Sequence, residues 1–177
     1  MFPVPQIELR WVVELVNEFS DLTREAAGEQ DRPYPRLATP DGAAQGVALP
    51  SRELVAVANE LHAIFAAAER GDSVDAAINA ILDRARPWQR AISSGAGFAV
   101  ADVHDVLPAA CALALLAWID ARGSERIGVC DGSQCVDVFA DASAAGSKRF
   151  CSPTCSNRHK VAQYRARQRE RTEGPPS

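Results

Sequence analysis

The sequence predicts a mainly α-helical protein in two parts. An irregular helical domain covers residues 1–123, and a small unit of one β-hairpin and one helix covers residues 127–171. Before residue 123, apolar side chains recur every three or four residues in several stretches, which is the spacing of one helix face. Four of the five cysteines lie in one short window, between Cys130 and Cys155. The first observation predicts the helical part, and the second locates the smaller unit.

Four helices are predicted in the N-terminal part, and the last three stop at residues that disfavour helix, Gly71, Pro87 and Gly123. The last one is apolar on every side between Ala109 and Ile119, so we expect it to be the central buried helix. We expect Met1 to Gln6 to be a loose start, Ser93 to Gly97 to be a turn, and Phe98 to Val100 to be a brief strand. The predicted helices run from about Leu9 to Leu22, from Ser51 to Arg70, from Asp72 or Ser73 to about Arg86, and from Asp102 or Asp105 to Arg122.

Two segments lack an apolar period. Residues 29–50 contain five prolines and glycines between Pro33 and Gly46, followed by Pro50, and are predicted to form a long loop. Residues 172–177 are predicted to be a disordered tail. Neither segment carries a residue pattern that indicates chemistry.

The cysteines form two close pairs. Four residues separate Cys130 from Cys135, three separate Cys151 from Cys155, and fifteen lie between the pairs. Paired thiolates from two chain segments are the ligands of a tetrahedral zinc site. Two disulfides, or unrelated core cysteines, are the alternatives. Zinc is the preferred interpretation, and because all four ligands come from the protein, one structural ion is expected.

The residues around these cysteines predict how the unit folds. Val136 to Phe139 is predicted to be one strand and Lys148 to Phe150 to be the returning strand, with a turn at residues 144–147. Ser152 is suited to cap a helix and Pro153 to start it, which places Cys155 in the first turn. A ligand pair before a hairpin and a second pair at a helix start is similar to a treble-clef zinc finger.

The charge is distributed very unevenly. Residues 148–171 hold eight basic residues and one acidic residue, a net charge of +7, whereas residues 1–147 hold eleven basic and twenty-one acidic residues, a net charge of −10. Arginine contacts phosphates and can also bind guanine edges, so duplex DNA is the expected partner. The alternatives are a solvated helix, or one that pairs with the acidic body. The candidate nucleic-acid-binding residues are Lys148, Arg149, Arg158, Lys160, Arg165, Arg167 and Arg169.

The sequence resembles the CGNR-type zinc finger, a family named for a Cys-Gly-Asn-Arg signature. The resemblance is carried by Val138 to Ser143, Arg149 to Cys151, Cys155 to Ala162 and Tyr164 to Arg167. Ser156 stands where that family has glycine, and Phe150 replaces a more usual tryptophan. The resemblance extends to Glu14-Leu15-Val16-Asn17, which is similar to the motif that opens the ABATE domain, the usual N-terminal partner of this finger. It implies a bacterial, stress-induced transcription regulator.

Three other polar or reactive residues invite a functional interpretation. Asn17 could contact a ligand, but a buried amide that bonds to backbone groups is the preferred interpretation. His62 lies beside an apolar stripe and is expected to be structural, and Cys111 is expected to be a small core residue. No arrangement of histidine, cysteine and acid suits nucleophilic catalysis, so we do not expect an enzyme.

The composition, 47% hydrophobic and 24% charged, is typical of a soluble globular protein. The first residues lack the basic start and apolar core of a signal peptide, and the longest uncharged stretch, Val106 to Ile119, is too short to span a bilayer. We therefore expect a cytoplasmic location.

The first functional hypothesis is a DNA-binding regulator. The alternative is a zinc-stapled module that binds protein or RNA, with a helical body that binds a small effector. A homodimer is compatible with either.

Overall fold

The computed structural model describes residues 1–36, 51–92 and 95–173. About 58% of the chain is helical, which confirms the mainly α class. The predicted loop falls largely outside the described residues, at 37–50, and so does the end of the predicted tail, at 174–177. The described elements are α1 (Leu9–Phe19), α2 (Asp21–Ala27), α3 (Ser51–Glu69), α4 (Asp75–Ala85), α5 (Val106–Arg122), α6 (Pro153–Glu173), β1 (Phe2–Val4), β2 (Trp88–Ile92), β3 (Gly95–Val100), β4 (Ile127–Val129) and β5 (Val138–Ala140).

The single helix predicted from Leu9 to Leu22 is two helices. Ser20 adopts an extended backbone between α1 and α2. The Thr23 hydroxyl donates to the carbonyl oxygens of Val16 and Ser20, at 3.2 and 2.9 Å. Such side-chain bonds compete with the helical pattern. The break turns Leu22 outward, where it is 54% exposed.

A three-stranded antiparallel sheet replaces several segments predicted to be irregular. The strand order is β1-β3-β2. Phe2 pairs with Val100 and Trp88 pairs with Ala99, so β3 lies between two short edge strands. The predicted loose start at Met1 to Gln6 was therefore wrong, and so was the predicted turn for Gly95 to Gly97, which lie in β3. Residues 93–94 of that turn lie outside the described part.

Helix α5 is less central than predicted. Seven of its residues are buried, and it packs against α4, α1 and β1, but Leu116 is 47% exposed.

The segment Val103–Arg122, with mean hydropathy 1.5, is long and apolar enough to cross a membrane by length and composition alone. It is the one such helix among the described residues. A third of its most apolar window is buried inside the protein. The core helix of a soluble protein meets the same criterion, so cytoplasmic location stays a prediction.

The main core includes the second, smaller unit. Ile127 of β4 and Val138 of β5 are 2% and 0% exposed, in one cluster with residues of α1, α3, α4 and α5. Strand β4 lies along α3, and β5 lies against α1. The cysteine unit therefore packs on the body. The predicted boundary between domains, at residues 123–127, stays a prediction, since the two parts share this core.

Candidate metal centre and basic helix

The first cysteine pair lies in the loop of a hairpin. Strands β4 and β5 pair antiparallel, with Val129 opposite Val138, and the Cys130 N–H extends the pairing by donating to the Asp137 carbonyl at 2.8 Å. The prediction that Lys148 to Phe150 forms the partner strand was wrong. The residues before Cys130 take that place, since Ile127 and Val129 offer apolar side chains to the body.

The chain still returns to the first pair along residues 148–150. The Asp131 N–H donates to the Arg149 carbonyl at 2.8 Å, so this segment crosses directly beside the loop that holds Cys130 and Cys135. Asp141 fixes the turn before it, accepting from the Ser143 N–H at 2.8 Å and from the Lys148 N–H at 2.9 Å. A hydrogen bond with the Ser143 side chain, followed in size by the bond from the Lys148 N–H, lowers the pKa of Asp141 to about 2, against burial, which acts in the opposite direction.

The second cysteine pair meets the start of α6 as predicted. The Ser152 hydroxyl accepts from the Cys155 N–H at 3.3 Å, which is the bond of an N-cap residue, and Pro153 is the first helical residue. Cys151 immediately precedes the cap, and Cys155 lies in the first turn. The helix start therefore aims both sulfurs at the hairpin loop.

All four sulfur atoms converge. The Sγ atoms of Cys130, Cys135, Cys151 and Cys155 lie within 4.8 Å of one another, and Cys151 Sγ is 3.7 Å from Cys135 Sγ and 3.6 Å from Cys155 Sγ. Among the described residues, no cysteine forms a disulfide. The alternative of unrelated core cysteines is therefore excluded for these four.

Protein groups around the sulfurs fit a bound cation. The N–H groups of Gly132 and Cys151 point at Cys130 Sγ, at 3.4 and 3.3 Å, which is how backbone amides stabilise a thiolate. A Cβ atom on Gly132 would lie 3.3 Å from Cys130 Sγ and 3.4 Å from the Cβ atoms of Cys135 and Cys155. Any side chain at this position would crowd the sulfurs.

The thiols are strongly perturbed by their packing. Burial raises the pKa of Cys135 to about 12 and raises that of Cys151 above the ordinary range. Burial also acts to raise the pKa of Cys155, but hydrogen bonds from the Ser152 hydroxyl and from the neighbouring thiols outweigh it, and the pKa of Cys155 is lowered. Four crowded sulfurs can all be thiolates only when a cation replaces their protons.

The donor set is that of a structural zinc site. Four cysteine sulfurs from two chain segments supply a complete tetrahedral shell, and a bound zinc ion would hold the hairpin loop to the start of α6. The fold and the site together define a zinc-finger protein with a helical body. Residues 126–168 match the family model of the CGNR zinc finger, in agreement with the resemblance seen in the sequence. This match covers 43 of the 177 residues. No curated protein matches the chain.

The predicted nucleic-acid-binding residues occupy two places. Lys148 and Arg149 lie beside the metal centre, where the Lys148 ammonium group donates to the Ala140 carbonyl at 3.2 Å and Arg149 pairs with Asp131. The others lie along α6 and are exposed: Arg158, Lys160, Arg165, Arg167 and Arg169.

Helix α6 extends away from the rest of the protein. Its inward face is confined to the first turns, where Cys155 is buried and His159 packs on Phe150, with ring centres 5.1 Å apart. From Lys160 to Arg169 every residue is exposed. Among the described residues, none of Arg158, Lys160, Arg165 and Arg167 forms a salt bridge. These four residues therefore give no support to the alternative that α6 pairs with the acidic body.

Three side chains of the body hold the hairpin, and sequence reasoning identified two of them. Asn17 of α1 bonds to Val138, and His62 of α3 lies 2.9 Å from the Val136 carbonyl through Nε2, so both are structural, as preferred. Glu69 of α3 accepts from the Val129 N–H at 3.2 Å and was missed, because an acidic residue at a helix end resembles a solvated one. Cys111 is 0% exposed in α5, which confirms it as a core residue.

Proposed function

We propose that this protein binds duplex DNA through α6 and acts as a transcription regulator, with a structural zinc ion that presents the helix. The observation that carries the proposal is the combination of charge and exposure on α6. Arg158, Lys160, Arg165 and Arg167 surround the helix without carboxylate partners among the described residues. Unpaired exposed cations on a protruding helix are suited to phosphate contact. The role is one of binding, and no catalysis is proposed.

The dimensions of α6 fit the proposal. Twenty-one residues make a helix about 31 Å long, and its width of about 10–12 Å matches a major groove about 12 Å wide. Its base is rigid, because the sulfur cluster and the Ser152 cap hold the first turn to a hairpin that belongs to the main core. Because residues 1–147 carry a net charge of −10, which repels phosphates, we expect DNA contact to be confined to the finger.

RNA is the weaker candidate, because single-stranded RNA is held largely by aromatic stacking. Of the three aromatic residues in the finger, Phe139 is 5% exposed and Phe150 is occupied by His159. Tyr164, at 64% exposure, is the one that remains available. Two further parts of the hypothesis stay predictions, since no contact among the described residues favours either one. They are that the helical body binds a small effector and that the protein forms a homodimer.

The test is DNA affinity as a function of salt, measured by fluorescence anisotropy on the zinc-loaded protein. Arg165→Ala with Arg167→Ala should weaken binding and reduce the log–log salt slope by about 0.9 for each phosphate that these arginines no longer neutralise. Arg10→Ala with Arg52→Ala is the matched control, since it removes the same charge from exposed positions on the body. An unchanged slope in the α6 variant, or an equal change in both variants, would reject this interface. Single-stranded RNA serves as the competing ligand.

A further inference from the structure

One face of α6 differs from the rest of the helix in the type of its residues. Thr154, Arg158, Val161 and Arg165 follow one another at helical spacing, and with Asn157 and Ala162 they line a shallow depression of about 420 Å³. Arginines lie at intervals along this face, but its middle is apolar. Another flank of the helix carries Lys160 and Arg167.

The composition of this face is not explained by folding. Threonine, asparagine and valine are poor helix formers, and an exposed position gives them no packing in return. Val161 is 49% exposed. On the inward side of the first turns, Cys155 and His159 already make the contacts that hold the helix. Residues that weaken a helix and lie at its surface fit a surface that contacts something else.

These residue types are those that distinguish bases. Asparagine can form two hydrogen bonds to an adenine edge, arginine two to guanine, and small apolar groups contact the thymine methyl. The seven-residue interval from Thr154 to Val161 advances about 10 Å along the helix, which is about three base-pair steps. A phosphate-binding surface would need only charge.

We propose that the face of α6 formed by Thr154, Asn157, Arg158 and Val161 reads base edges in the major groove, so that the protein is sequence-specific and not only a phosphate binder. Asn157 and Arg158 discriminate by hydrogen bonds, and Val161 by contact with a thymine methyl. Lys160 and Arg167, on the other flank, contact phosphates. This inference rests on the proposed function, since it requires that α6 binds duplex DNA.

The test is selection from a random duplex library, with the zinc-loaded full-length chain at near-physiological salt. Asn157→Ala and Val161→Ala are the informative variants, because neither changes the charge. Each should flatten the base preference at one or two positions, with discrimination falling by about 5- to 150-fold for Asn157→Ala, and leave the salt slope unchanged. Lys160→Ala should lower the affinity for all sequences and keep the recovered motif.

A neutral variant on the same side of the helix as His159, Gln163→Ala, is the matched control and should keep the wild-type motif. Zinc content and helical circular dichroism check that each variant is folded. A motif that survives in Asn157→Ala and Val161→Ala would overturn the base-reading assignment, as would retention of DNA by the wild type without any motif. In both cases the proposed function stands as phosphate binding. No retention of DNA at all would overturn the proposed function itself.

Discussion

Asn17 on α1 and Val138 on β5 form two hydrogen bonds, although they lie 121 positions apart in the chain. The Val138 N–H donates to Asn17 Oδ1 at 2.7 Å, and Asn17 Nδ2 donates to the Val138 carbonyl at 3.1 Å. The amide thus bonds to both backbone groups of one residue, as a neighbouring strand would. Asn17 thereby supplies hydrogen-bond partners to backbone groups at an edge of the β4-β5 hairpin. The body buries this edge, since Val138 is 0% exposed.

Replacing this amide should loosen the finger from the body. Asn17→Ala leaves two buried backbone groups of Val138 without their partner, at a cost of about 1–3 kcal/mol for each group that water cannot reach. We expect a lower melting temperature of the zinc-loaded protein by calorimetry. Asn79→Ala, at an exposed position on α4, is the control and should change stability little. Equal melting temperatures for Asn17→Ala and the wild type would show that the bonds contribute nothing.

The metal centre could be predicted from the sequence because its chemistry is local. The spacing of Cys130, Cys135, Cys151 and Cys155 identifies the ligands without knowledge of the fold, and Ser152 with Pro153 locates the helix start. The α3 and α4 helices were likewise predicted from their apolar periods. The interior of each of these helices is determined by contacts between residues three or four apart.

The sheet could not be predicted, because non-local pairing creates it. Phe2 and Val100 pair across almost a hundred residues, and β1 contains Pro3, which disfavours a strand assignment. Gly95 and Gly97 indicate a turn when read locally, yet both lie in β3. The partner of β5 was misassigned for the same reason, since the apolar residues of β4 matter only once the body is present to bury them.

Arg24 should hold the segment that follows α2. This arginine is 4% exposed, and its guanidinium donates to the carbonyls of Glu29 and Arg32, both at 2.5 Å, beneath the Tyr34 ring at 4.4 Å. Tyr34 in turn stacks on Phe19. Arg24→Ala removes the donors and leaves these carbonyls dependent on water, so residues 29–34 should exchange amide hydrogens faster.

Hydrogen exchange followed by mass spectrometry measures this effect. The control is Arg32→Ala, which removes an exposed arginine from the same segment and a salt bridge to Glu29, without removing the buried guanidinium. Protection that is equally low in both variants would assign the order of the segment to surface charge and not to Arg24.

The contact between His104 and Glu53 predicts a pH dependence. His104 Nδ1 donates a hydrogen bond to the Glu53 carboxylate at 3.0 Å, and this bond raises the pKa of His104 above its ordinary value of 6.5. Because the folded-state pKa is the higher one, the pair stabilises the fold fully below about pH 6.5, and this contribution is lost as the pH rises through the folded-state pKa. It joins the first turn of α3 to the turn before α5.

Titration of the imidazole by NMR tests this assignment. Glu53→Gln should lower the midpoint of His104. The His104 resonance is identified by its absence in His104→Asn. An identical His104 midpoint in the wild type and in Glu53→Gln would refute the pairing in solution.

Removing a single zinc ligand should unfold the finger and leave the body helical. A structural zinc ion contributes on the order of 10 kcal/mol in small domains, and Cys155→Ser leaves three sulfurs where four are needed. The main core draws most of its residues from α1, α3, α4 and α5, so those helices should stay folded, and α6 should become sensitive to protease. The measurement is metal content by mass spectrometry together with circular dichroism and limited proteolysis.

The control variant is Cys111→Ala. It removes a buried cysteine outside the cluster and should keep one zinc ion per chain. Full zinc occupancy in Cys155→Ser would contradict the ligand assignment, and a complete loss of helical signal would mean that the body depends on the metal.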